Sequence, residues 1–368
     1  MLVIYRPVHY FFGVASNQMH NSQIIWLIGS RLLPYVSGAN PEQTLLACPL
    51  ANARLRMAVA AGAWKHAGGN NFYCWDDESG AAPPAFEASI FIVPKFYPDS
   101  VLHFWLDACR SAKDAGCEIV LDICEFPFHK KWGVSEFYEK GLALCNAVVV
   151  NSEKMAELVR PYSPVAPVLI EDAVFGPPRK HEFSPKRRLE LLWFGHPTNL
   201  RYLRANLGGL AELAQKISVR LTIVTEIGSQ LAQLDTEMRS LYAELEFRVV
   251  PWSLESNRIA MRQCDLVLLP GDPSDPRKCA VSANRIAEAL CAGRFPIASP
   301  LASYVPFSDC AWIGNDIAEG VRWAVANRGE VMARIRRGQE RVALIYSPEK
   351  IAARWMDLFA GLKSTRTQ

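Results

Sequence analysis

CDLVLLPGDPSDPRKCAVSANRIAEALCAGRFPIASP, residues Cys264–Pro300, reads as strand, loop, helix and strand in immediate succession. Asp265–Leu269 is short and apolar almost throughout, the pattern of a strand buried on both faces. Gly271–Val281 is rich in Gly, Pro and Asp and reads as a loop. Ser282–Ala292 has helical periodicity and is closed by Gly293. Pro296–Ala298 starts the next strand. A strand followed by a helix and another strand implies parallel pairing through a right-handed crossover. In open α/β sheets, ligands bind beyond the carboxyl ends of the strands, where this loop lies. The start of the following helix offers free N–H groups and favours an anion. Lys278 in the loop and Arg285 in the first turn could balance a diphosphate. Glu288, further along, could accept both hydroxyls of a ribose. Spacing alone fits an ordinary crossover with solvated charges equally well.

Outward from this stretch the alternation continues. The strands Leu189–Phe194, Arg220–Val224 and Glu246–Val250 alternate with helical patterns over Leu203–Ile217, Ser229–Leu241 and Leu254–Gln263. The first half shows the same alternation. Its strands are Gln23–Ile28, Ser89–Val93, Glu118–Ile123, Ala147–Asn151 and Val168–Glu171. Its helices are Ala51–His66, Ser100–Asp114, Glu136–Leu144 and Lys154–Tyr162. Between the halves, the segment from Phe175 to Arg188 carries Pro177, Pro178 and Pro185 with five Lys and Arg residues and no apolar periodicity, as a linker does. After Ile317 the pattern is helical. Ser347, Pro348 and Glu349 start a last amphipathic helix, Ile351–Leu362.

The expected class is therefore α/β, with two doubly wound, Rossmann-like domains facing a cleft. Residues 1–175 form the first domain, 176–188 the linker, 189–346 the second domain and 347–368 a terminal helix. A length of 368 residues fits two domains, each long enough for its own core. The formal net charge of +3 supplies no global field for nucleic acid. The ten cysteines include no CxxC pair and no zinc spacing, and most sit in apolar runs, which suits a reducing compartment. The residues from Met1 to Gly13 make a poor signal peptide. The apolar run at 24–28 is too short to span a bilayer. A cytoplasmic protein is expected, with the basic groups near the linker and at Arg334–Arg341 as places for peripheral contact with the inner membrane face.

The whole arrangement resembles glycosyltransferases of the GT-B fold, in particular family 4. Cys264-Asp265, Leu266–Pro270, Glu288-Ala289-Leu290, Ala292-Gly293 and Pro296–Ser299 match that family's run in order. Cys145–Ser152 resembles a strand late in its first domain, and Leu191–Gly195 the first strand of its second. The turn Trp252-Ser253-Leu254 resembles one that packs near the donor base. The resemblance is close over about residues 145–345 and rests on fold pattern alone before that. It implies GT-B architecture, with residues 1–175 on the acceptor side, 189–346 binding the nucleotide sugar and the terminal helix, 347–368, returning to the first domain; the donor is a nucleotide-diphosphate sugar, with no other cofactor and no metal. It implies retention of anomeric configuration, and a glycan, polysaccharide or lipid-linked acceptor of cell-envelope type. Donor-binding positions fall on Gly195, His196, Asn199, Arg201, Trp252, Lys278, Ser282, Asn284, Arg285 and Glu288.

Two departures stand out. The family places a second Glu eight positions before Glu288, facing the sugar hydroxyls, and here that position is Ala280. The family also tends to place an Arg after the Gly of the second domain's first strand, where this chain has His196, followed by Arg201 and Arg204. Catalytic candidates lie in LDICEFPFHKKWG, residues 121–133. There Asp122, Glu125 and His129 follow a buried strand, and a turn cap or exposed charges would explain them as well. No GxGxxG follows a strand, no GxxxxGK[ST] is present, and no Asp-x-Asp pair occurs. A catalytically inactive binding subunit and a nucleotide-sugar epimerase are the alternative readings.

Overall fold

In this computed structural model the described residues are 23–75, 90–97, 100–128, 134–176, 178–180, 183, 188–227 and 231–364. Two six-stranded parallel sheets form. The first is built from β1 (Gln23–Ile28), β2 (Asn70–Trp75), β3 (Ile90–Val93), β4 (Glu118–Ile123), β5 (Ala147–Val150) and β6 (Val168–Leu169). Its order is β2-β1-β3-β4-β5-β6. The second is built from β7 (Leu189–Phe194), β8 (Val219–Thr225), β9 (Glu246–Pro251), β10 (Leu266–Leu269), β11 (Phe295–Ala298) and β12 (Trp312–Ile313). Its order is β12-β11-β10-β7-β8-β9.

Central strands are buried along their whole length because helices cover both faces. β5 (AVVV) and β10 (LVLL) have no solvent-facing residue. Each sheet thus lies between two apolar cores. Periodicity alone missed β2 and β12, which are the outer strands on one side of each sheet. β2 reads NNFYCW, and its exposed Phe72 and polar start hide the strand pattern. β12 has only two residues.

The helix expected over Leu203–Ile217 is two helices, Leu200–Arg204 and Leu207–Ala214. Between them Asn206 turns its side-chain amide onto the Tyr202 carbonyl at 2.8 Å, competing with the backbone ladder. The helix expected over Ala51–His66 opens with a π turn, Ala53–Met57, before the α-helix Ala58–His66. The wider turn leaves the Leu55 carbonyl available to the Ala173 N–H at 3.1 Å, where the chain leaves the first sheet.

The last helix, Pro348–Ser364, returns to the first sheet, as expected for Ile351–Leu362. Ile351, Ala352, Trp355, Met356, Phe359 and Leu362 enter the core that also holds Trp26, Met57 and Trp64. Phe359 meets Trp64 edge-on, with ring centroids 5.5 Å apart. Arg354 pairs with Glu171 beside this contact.

Candidate functional site between the two sheets

The strand order of the second sheet reverses between β7 and β10, the place where open α/β sheets bind ligands. β7 runs into Gly195, and β10 runs into Pro270 and the loop that leads to helix Asn284–Cys291. That helix has no side-chain cap, because its cap residue is Ala283. Its first amide, of Asn284, donates only to the Ser282 hydroxyl oxygen, at 3.4 Å. The next amides are unsatisfied donors with the positive end of the helix dipole behind them.

Arg285, in the first turn, reaches back to β7. A Cβ on Gly195 would stand 3.4 Å from its Nη1, so glycine there lets the guanidinium lie against the strand end. That Nη1 is buried and has no hydrogen-bonding partner within the chain. Other buried polar atoms without a partner stand on the same carboxyl edge of the sheet. They are Asn199 Oδ1 after β7, Thr225 Oγ1 at the end of β8, and Asn284 Oδ1. Buried polar groups are normally paired, so such a row marks a surface shaped for something polar.

Glu288 follows Arg285 by three residues, which puts both on one side of the helix. Burial pushes its carboxyl above the ordinary value of 4.5, against the opposing charges of Arg54, Arg285 and Arg258. Arg54 comes from the π turn of the first domain, so Glu288 faces across the cleft. Burial draws the Arg54 guanidinium below its usual value, and the charge of Glu288 opposes that shift. Arg54 is fixed by donating from Nη1 to the Cys48 carbonyl at 2.6 Å.

Two hydrogen bonds close the cleft beside these charges. Ser282 donates to Asp172 Oδ2 at 2.6 Å, and Ser152 donates to the Ala280 carbonyl at 3.0 Å. Ser152 also caps helix Glu153–Val159. Ala280 is 1% exposed and packs into the apolar core of the first domain. A glutamate at this position would enter that core, which gives a physical reason for the short side chain here.

Behind the cleft, Arg56 joins the ends of β4 and β6. It holds both oxygens of Asp122, with Nη2–Oδ1 at 2.7 Å and Nε–Oδ2 at 2.8 Å, and it donates to Asp172 at 3.0 Å and to the Ile170 carbonyl at 2.6 Å. Burial opposes the charge on Arg56, but Asp122 and Asp172 outweigh it and hold the guanidinium protonated above its usual range. Asp122 therefore presents no free carboxylate to the cleft. Glu125 is exposed and pairs with Lys95 at 3.0 Å. His129 lies outside the described residues.

The structure places the other candidates as follows. The N–H of Thr198 donates to His196 Nδ1 at 3.3 Å, so His196 caps the turn Pro197–Asn199. Arg201 pairs with Asp275 in the loop after β10, and Tyr202 donates to the same carboxylate. Asp275 therefore ties the loop after β10 to helix Leu200–Arg204. Trp252 follows β9, with its N–H on the Thr225 carbonyl at 2.8 Å and its side chain half-buried against the core beneath the cleft. Lys278 is half-buried in the short helix Pro276–Cys279.

Arg54, Arg56, Ser152 and Asp172 belong to the cleft and were not among the donor or catalytic candidates. The two arginines carried a signal, since they interrupt an apolar helix, ARLRMAVAAGAW, where a charge must find a partner. Ser152 and Asp172 carried none. A polar recess of about 290 Å³, lined by Glu190, Arg220, Arg248 and Gln263, lies at the amino ends of β7 and β8, away from the cleft.

No family model matches the chain, and no curated protein matches it in sequence. Solved structures match it along nearly its full length. A glycosyltransferase from Rickettsia africae superposes with a TM-score of 0.66 at 12% identity, covering 93% of this chain and 98% of that one. HepE of Anabaena, solved with UDP, superposes with a TM-score of 0.63 at 11% identity, covering 92% and 100%. WaaG, a glycosyltransferase involved in lipopolysaccharide biosynthesis, gives 0.57 at 12% identity, covering 89% and 98%. The fold is GT-B. At these identities the GT-B match establishes architecture and leaves the chemistry to the cleft itself.

Proposed function

We propose that this GT-B chain is a glycosyltransferase that takes a sugar from a nucleotide-diphosphate donor. One observation carries the proposal. Arg285 holds a buried, unpartnered N–H against Gly195, at the strand-order reversal and beside an uncapped helix start. That arrangement suits a diphosphate, with Arg285 and the helix amides taking the charge that develops on the leaving group. Lys278 adds charge from the loop. Glu288 is the ribose acceptor, and Trp252 flanks the base. Family resemblance adds retention, independence of a metal, and an acceptor of glycan, polysaccharide or lipid-linked type. Among the described residues no helix is long and apolar enough to cross a membrane. A cytoplasmic site of action, with peripheral contact through the basic faces, is the accompanying proposal.

A second reading has its own support. Ala280 faces the first domain's core, and Asp122 is fully engaged by Arg56, so two carboxylates of an active transferase are absent from the cleft. A donor-binding partner subunit would look the same. Transfer and hydrolysis assays with a panel of UDP-, GDP- and ADP-sugars, on wild type and Glu288→Ala, separate the readings. Turnover that Glu288→Ala abolishes supports the enzyme, and binding without turnover supports the subunit. No binding of any nucleotide sugar overturns both.

A further inference from the structure

The first sheet has a strand-order reversal of its own, between β1 and β3, and the residues beyond it form a second cluster. β1 runs into Gly29, where a Cβ would stand 3.2 Å from the Tyr97 ring. The Tyr97 hydroxyl donates to Asn52 Oδ1 at 3.1 Å. This leaves Asn52 Nδ2 buried and without a partner, in a residue only 8% exposed. Arg31 and Lys95 lie against the same Tyr97 ring, at 5.8 and 5.2 Å from its centroid. Glu125 is the one carboxylate paired with Lys95 among the described ion pairs, and it is 56% exposed. Asn52 stands two residues before Arg54, whose charge acts on Glu288 across the cleft.

We propose that this cluster is an anion site that holds a phosphoryl group of the acceptor, with the Asn52 amide as its buried donor and Lys95 and Arg31 as its charge. An N–H buried among cations is stabilised by an acceptor-only ligand, and a phosphoryl oxygen meets both demands at once. Calling the ligand an acceptor rests on the transferase reading, whereas the anion site stands without it.

The test uses the full chain with its donor side saturated by UDP, so that added anion reports on the first domain alone. Inorganic phosphate and glycerol 3-phosphate are titrated by calorimetry, and vesicles of phosphatidic acid are compared with vesicles of phosphatidylcholine. The soluble phosphates should bind, and Asn52→Leu and Lys95→Met should each weaken them about tenfold to a hundredfold, as loss of a hydrogen bond to a charged group does. UDP affinity should be unchanged in both variants. Preference for phosphatidic acid vesicles, lost in the same variants, assigns the phosphoryl group to a lipid; binding of the soluble phosphates alone assigns it to a soluble acceptor. Lys95, with 19% of its side chain exposed, is less buried than Asn52, and Lys95→Met serves if Asn52→Leu does not fold. Phosphate binding equal to wild type in a folded variant, or no phosphate binding with UDP bound, overturns the proposal. If UDP itself fails to bind while phosphate binds through Asn52, the donor reading falls and the anion site remains.

Discussion

The Ser282 hydroxyl sits 2.6 Å from Asp172 Oδ2 and so ties the start of the donor-side helix to the end of the first domain. The same carboxylate takes an N–H of Arg56 on its other oxygen. Domain closure and the buried ion pair therefore share one residue. Ser282→Ala should weaken closure without unfolding either domain. The expected outcome is a larger radius of gyration in scattering of the free protein and a smaller change on UDP addition, with an unchanged circular dichroism spectrum.

Arg285→Ala should cost affinity for a nucleotide-diphosphate donor, because it removes the buried, unpartnered N–H proposed to take the diphosphate. A loss of about tenfold to a hundredfold in UDP affinity is expected, by calorimetry, with little change in melting temperature. Arg285→Lys should recover only part of it, since an ammonium cannot reproduce the planar fork. A variant that binds UDP like wild type would remove Arg285 from the site.

Asp122→Asn leaves the Arg56 charge buried and half-answered. Breaking a buried pair by removing one partner costs about 3–5 kcal/mol, so the urea midpoint should fall sharply. This separates a supporting role from a catalytic one. If Asp122→Asn were as stable as wild type but inactive, Asp122 would return to the list of reacting groups.

Glu288 links the site to pH. Its folded-state carboxyl lies above the ordinary 4.5, so the fold favours the protonated form. That contribution is complete below 4.5 and is lost as pH rises through the folded value. Glu288→Gln should therefore be more stable than wild type at neutral pH, and the difference should close as pH falls toward 4. Melting temperatures of both proteins across that range check the sign.

Ala280→Glu introduces the side chain that the sequence resemblance leads one to expect at this position. Here it would place a carboxylate in the apolar core of the first domain, at a cost of several kcal/mol unless the cleft opens. The expected result is an opened molecule with a lower melting temperature, and no gain in sugar transfer while the cleft stays open.

Much of this was legible in the sequence, for physical reasons. Parallel strands buried on both faces announce themselves as apolar runs, so β1, β4, β5, β7 and β10 could be read directly. The edge strands β2 and β12 could not, because an edge need not be apolar on both faces. That Arg285 and Glu288 lie on one helix after β10 was legible from its periodicity and from Gly293 closing it. The fate of Asp122 was not, because its partner Arg56 lies 66 residues away and only the folded chain brings them together. The packing of Ala280 was hidden for the same reason: its neighbours belong to the other domain.

The return of helix Pro348–Ser364 to the first sheet has a consequence for the order of assembly. The face of helix Ala58–His66 that carries Trp64 is covered by residues made about 290 positions later. On the ribosome, the first domain waits with that apolar face bare until the second has been synthesised. Its completion is the last event of folding, and a chain interrupted before Ile351 should be a client for chaperones even though its second domain has all its strands.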